Sequence, residues 1–78
     1  MRYKNLEFRQ KDGRDPEIVV IEPHCYTILW WKRGKEGWYI EFVGSRPLEL
    51  DLIRADVWNL MRYGQSVLDA QFRLEESC

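Results

Sequence analysis

From Ile53 to Phe72 the apolar residues Ile53, Val57, Leu60, Met61, Val67, Leu68 and Phe72, with Gly64 among them, recur mostly at steps of three and four and so line one face of a helix. Arg54, Asn59, Arg62, Ser66, Asp69 and Arg73 fill the rest, with Asp69 and Arg73 spaced for an i,i+4 pair. A helix with one apolar stripe has to bury it, and no other segment of the chain has helical period. The covering layer must therefore be a sheet. Gly64 falls on the stripe at a helix-propensity cost of about 1 kcal/mol, which implies a kink or a bulky sheet residue needing the space; Trp30 or Trp38 is the expected occupant.

The strands are read from the first half. "RYKNLEFRQ" alternates imperfectly and reads as an edge strand. "KDGRDPE" carries the Asp12-Gly13 turn dipeptide and Pro16, and separates it from the β-branched run "EIVVIE", which Pro23 closes. "TILWWKRGKEGWYIEF" then reads as a hairpin around Gly34 and Gly37. "GSRPLELD" breaks the sheet, and Asp51 is placed to open the helix. The expected fold is α+β: one domain over residues 1–78, with an antiparallel three- or four-stranded meander and the C-terminal amphipathic helix packed on one face.

The hairpin decides which side chains are free. A three-residue turn closed by a left-handed Gly37 makes residues facing each other share parity. Tyr26, Ile28, Trp30, Trp38, Ile40 and Phe42 then form the core face. Thr27, Leu29, Trp31, Arg33, Tyr39, Glu41 and Val43 form the open one. Antiparallel sheets tolerate an uncovered face when it is polar, and this one holds Leu29, Trp31, Tyr39 and Val43. The expected partner-binding residues are Leu29, Trp31, Arg33, Lys35, Tyr39, Glu41 and Val43, because interface centres favour Trp, Tyr and Arg. The partner is another protein or a second copy in a homodimer. A competing reading has the N-terminal segment or "PLEL" cover the patch, leaving no partner.

Seventy-eight residues remove only about 60% of the unfolded chain's surface from water, so each large apolar side chain carries much of the stability. Twelve basic against thirteen acidic residues give a formal charge of -1, which excludes a global field for nucleic acid or anionic lipid. A local site stays open. Lys32, Arg33 and Lys35 beside Trp31 and Tyr39 match the recipe for single-stranded nucleic acid, in which bases stack on rings and cations follow phosphates, although Glu36 and Glu41 share the hairpin.

Catalytic signs are few. His24-Cys25 lacks any sign of an orienting group or oxyanion hole and reads as a turn residue and a small buried side chain. Glu36, Glu41, Glu49 and Asp51 read as solvated, one histidine with two distant cysteines announces no metal, and no phosphate-binding glycine loop occurs. No enzyme, metal or cofactor is expected. The longest apolar runs, "IVVI" and "ILWW", are far short of a membrane span or a signal core, so a soluble, cytoplasmic chain with reduced Cys25 and Cys78 is expected.

In its plan, one short domain with a twisted sheet, one helix and no catalytic set, the chain is similar to small accessory proteins of bacteriophages and mobile elements. That likeness implies an inhibitor or accessory protein acting on a host protein complex, and carries no residue-level assignment.

Overall fold

The computed structural model describes residues 1–22, 24–43 and 54–77. Five strands, β1 (Arg2–Tyr3), β2 (Leu6–Arg9), β3 (Glu17–Val20), β4 (Tyr26–Gly34) and β5 (Gly37–Phe42), form one antiparallel sheet in the order β1-β2-β3-β4-β5. A 23-residue helix, α1 (Arg54–Glu76), covers one face. The chain is thus α+β, with a meander as expected but five strands in place of three or four. The linker "PLEL", the opening position Asp51 and the carboxylate of Glu49 lie outside the described residues, as does Cys78.

The extra strand comes from the opening segment, which is itself a hairpin. Tyr3 pairs with Leu6 across Lys4 and Asn5, and Lys4 takes a left-handed φ of 54°. Neither glycine nor Asp-Gly marks this reversal, which is why it reads as one strand. Other bonds hold it in place. The Asn5 amide donates from Nδ2 to the Glu22 carbonyl (2.6 Å) and accepts the Glu22 N–H at Oδ1 (2.9 Å), while Lys4 pairs with Asp56 of α1 at 3.2 Å.

Two features of β4 overturn the expected parity. The turn passes through only Lys35 and Glu36, because Gly37, at φ +132°, pairs with Gly34 in the ladder. Residues facing each other across the hairpin therefore have opposite parity: Leu29 faces Phe42, Trp31 faces Ile40, Lys32 faces Tyr39 and Arg33 faces Trp38. In addition, a β-bulge shifts the β3–β4 register between Ile18 and Val19, so that Ile18 pairs with Leu29 while Val19 pairs with Thr27. Ile28 is the additional residue. A bulge resets the alternation, and Ile28 and Leu29, adjacent in sequence, are both buried in the core.

The consequence is that Trp31, wholly buried, faces α1, and Trp30 is left half-buried on the other side. Trp38 and Ile40 pack inward as expected, whereas Phe42 stays exposed. The core joins Leu6, Phe8, Ile18, Val20, Ile28, Leu29 and Trp31 of the sheet to Val57, Leu60 and Leu68 of α1.

Gly64 sits where the helix crosses Trp31 and Phe8. A Cβ there would lie 2.6 Å from Cη2 of Trp31 and 2.8 Å from Cε2 of Phe8, so the bulky neighbour is Trp31 and not Trp30 or Trp38. The helix runs unbroken through this position. Phe8 meets Trp31 and Tyr63 edge-on, with centroids 5.4 and 5.9 Å apart. One turn position on, Gln65 accepts the Trp31 indole N–H at Oε1 (2.9 Å) and donates from Nε2 to the Trp38 carbonyl (3.1 Å) and to Asp69 (3.0 Å). Asp69 is thereby bonded to Gln65 rather than to Arg73. Further along, Gln71 and Gln10 exchange amide hydrogen bonds of 2.7 and 3.0 Å. Lys4, Phe8 and Gln10 meet Asp56, Tyr63 and Gln71 in turn. The helix accordingly runs parallel to β2 and antiparallel to β5.

Candidate interaction surface

The face of the hairpin turned away from α1 carries Trp30, Lys32, Tyr39 and Glu41, joined by the cross-strand pairs Trp30 with Glu41 and Lys32 with Tyr39. Lys32 is the centre of this group. Its ammonium lies 4.8 Å from the centroid of the Trp30 ring and 2.7 Å from Oδ2 of Asp15 in the β2–β3 loop. The hydrogen bond to Asp15 raises the Lys32 pKa above the ordinary lysine value. Tyr39 is 54% exposed, and Glu41 is exposed beside it. A shallow depression lined by Gly13, Arg14, Asp15, Glu17 and Trp30 borders the cluster. The Trp30 indole N–H is buried and has no acceptor among the described residues.

The residues expected to form one contact surface are divided by the fold. Leu29 and Trp31 are wholly buried and present nothing to a partner. Arg33 lies on the α1 side: its guanidinium stacks 5.3 Å from Trp38 and 4.7 Å from Phe72 and pairs with Glu75 at 2.6 Å, fastening the hairpin tip to the end of the helix. Lys35 is exposed in the turn. Val43 is half-buried and donates its N–H to the Ile28 carbonyl at 3.1 Å. Only Tyr39 and Glu41 of that set share the open face. Trp30 takes the place assigned to Trp31, because of the bulge.

One further aromatic went unassigned, Trp58, which is 52% exposed on α1; Phe42, expected on the core face, instead stands 41% exposed at the end of β5. A tryptophan immediately after Val57, off the apolar stripe among Asn59 and Arg62, was the available signal.

Of the residues weighed for chemistry, His24 and Cys25 are exposed, against the buried position expected of Cys25, and Nη1 of Arg9 donates to the free Cys25 thiol at 3.9 Å. Arg9 also bonds Glu7, which holds the Glu7 carboxyl below its ordinary value and raises the arginine. Among the described residues no three histidine, cysteine or acidic side chains converge on a metal-sized site. No described helix is long and apolar enough to cross a membrane. No family model, curated protein or solved structure matches the chain.

Proposed function

We propose that this chain is a small non-enzymatic protein-interaction domain, an inhibitor or accessory subunit, that binds its partner protein or a second copy through the open face of the β4–β5 hairpin. The observation that carries this reading is Tyr39, more than half exposed beside a Trp30–Lys32–Asp15 cluster whose side chains already hold one another in place. An aromatic surface fixed before binding loses little rotamer freedom on contact, and tyrosine and tryptophan are the side chains that interface centres favour. Trp30→Ala combined with Tyr39→Ala is the direct test, since neither residue belongs to the buried cluster. The double variant is expected to stay folded and to lose about tenfold or more in partner capture or self-association. Unchanged capture by a folded double variant removes the reading.

Binding to single-stranded nucleic acid is the second reading, favoured by the lysine stacked on Trp30 next to Tyr39. What weighs against it is that Lys32 and Arg33 lie on opposite faces and already have Asp15 and Glu75 as partners, with Glu41 sharing the face of Lys32. A phosphate would have to displace a carboxylate. This reading predicts affinity for an oligothymidine that falls steeply with added salt and weakens on Lys32→Ala; absence of binding at low salt rejects it.

A further inference from the structure

The Val43 N–H points to β4, where it meets the Ile28 carbonyl. In an antiparallel ladder the N–H and C=O of one residue point the same way and those of the next point oppositely. Trp38, Ile40 and Phe42 therefore turn their backbone groups outward. The Trp38 carbonyl agrees, for Gln65 reaches it from outside the sheet at 3.1 Å. Beyond that bond β5 is an edge strand, with no strand beside it among the described residues. Its sequence, GWYIEF, lacks the proline and lysine that ordinarily blunt an edge, and Glu41 is its one charge.

The helix supplies a wall along this edge. Gln65 marks the flank of α1 that overhangs β5, and Trp58, seven residues earlier, returns to nearly the same angle. Two turns of helix cover about 10 Å, and the four residues from Trp38 to Phe42 cover about 13 Å in the same direction. Trp58 therefore comes level with the Phe42 end of the strand, with Met61 and Ile40 packed on the core between. Two of the large apolar side chains that stand exposed among the described residues, Phe42 and Trp58, thus border one seam.

We propose that this seam accepts an extended peptide as an added strand along Ile40 and Phe42, with its alternate apolar side chains turned toward Trp58 and Met61 and a basic side chain opposite Glu41. Unpaired backbone groups in a row are matched only by another backbone, and the pleat then sends successive side chains to the helix side and the open side in turn. On the open side the charge is Glu41, whose own cross-strand neighbour is Trp30 and which has no ion pair among the described residues. A second copy fits less well. Pairing two β5 strands about Ile40 would bring the partner's Phe42 N–H onto the Trp38 carbonyl that Gln65 already occupies. The inference rests on the protein-interaction reading but uses a different set of atoms.

Selection of displayed random decapeptides on the whole chain, followed by synthesis of the enriched sequences and titration against the tryptophan fluorescence of the chain, with Trp58→Phe to isolate the Trp58 contribution, tests it. Enriched peptides are expected to alternate apolar with lysine or arginine. N-methylation of every second residue in one register is expected to weaken binding about tenfold or more, and methylation in the other register to leave it within about twofold. Phe42→Pro, which removes an N–H that the β4 ladder does not use, is expected to weaken binding more than Phe42→Ala does; if the proline variant does not fold, the methylation series decides alone. No enrichment, indifference to the methylation register, or a dimer in sedimentation with β5 protected from exchange overturns the proposal. Peptides that ignore the register yet are lost in the Trp30→Ala, Tyr39→Ala variant support the open face and reject the seam; the converse result does the reverse.

Discussion

Trp31→Ala is expected to remove about 4 kcal/mol of folding stability, within the range of about 3–5 kcal/mol for truncating a buried aromatic. A chain of 78 residues has roughly 4–12 kcal/mol in total, so the variant should be largely unfolded at low urea. The cost has identifiable sources. Trp31 is fully buried, meets Phe8 edge-on at 5.4 Å and donates its indole N–H to Gln65 at 2.9 Å. Its loss opens a void under Gly64 and deprives Gln65 of a partner in one step. Trp30→Ala, one residue earlier, is the control. That ring is half-buried on the other face, where it covers Lys32 and leaves its own N–H without an acceptor among the described residues, so its removal is expected to cost roughly 1–2 kcal/mol. Urea midpoints of the two variants, at equal m, read the difference directly. Equal costs would mean that the β4 register places the two tryptophans otherwise.

That contrast also marks where the sequence stops being legible. Helical period from Val57 to Phe72 identifies α1 and its buried stripe without help from tertiary structure, because three- and four-residue spacing has no competing reading over that length. The β-branched run of β3 and the glycine-flanked reversal of β4 and β5 are equally plain. Facing is another matter. In a strand every side-chain orientation hangs on the count of residues since the last fixed point, and one added residue inverts all that follow. Ile28 is such a residue, and nothing in "TILWW" distinguishes it from Leu29, since both suit a buried position. The turn adds a second inversion, because Gly37 at φ +132° is compatible with a loop position or with the first ladder position of β5. Tyr26, Ile28, Trp38 and Ile40 came out inward, Trp30 and Trp31 exchanged places, and the contact surface moved with them. Tyr39 and Glu41 kept theirs, since they lie on the far side of both irregularities.

Gly64→Ala separates local preference from packing, since the two disagree in sign. In an isolated helix the change would favour the helix by about 1 kcal/mol. Here the new Cβ would stand 2.6 Å from Trp31 and 2.8 and 2.9 Å from two atoms of the Phe8 ring, against about 3.5–4.0 Å for an ordinary carbon contact. Neither ring yields easily: Trp31 is tied to Gln65, and Phe8, 6% exposed, is held edge-on between Trp31 and Tyr63. Overpacking of this kind costs about 1–3 kcal/mol, and three simultaneous close contacts put it at the upper end. The expected net effect is destabilisation by about 2 kcal/mol, or a fall in Tm of roughly 10 °C for a domain this small. If the clash with the Phe8 ring is the cause, Phe8→Leu should cost less in the Gly64→Ala background than in the parent, by a coupling of about 1 kcal/mol. Strictly additive losses would place the helix farther from β2 and β4 than this packing has it, and a stabilised Gly64→Ala would show that Trp31 does not lie beneath the helix at all.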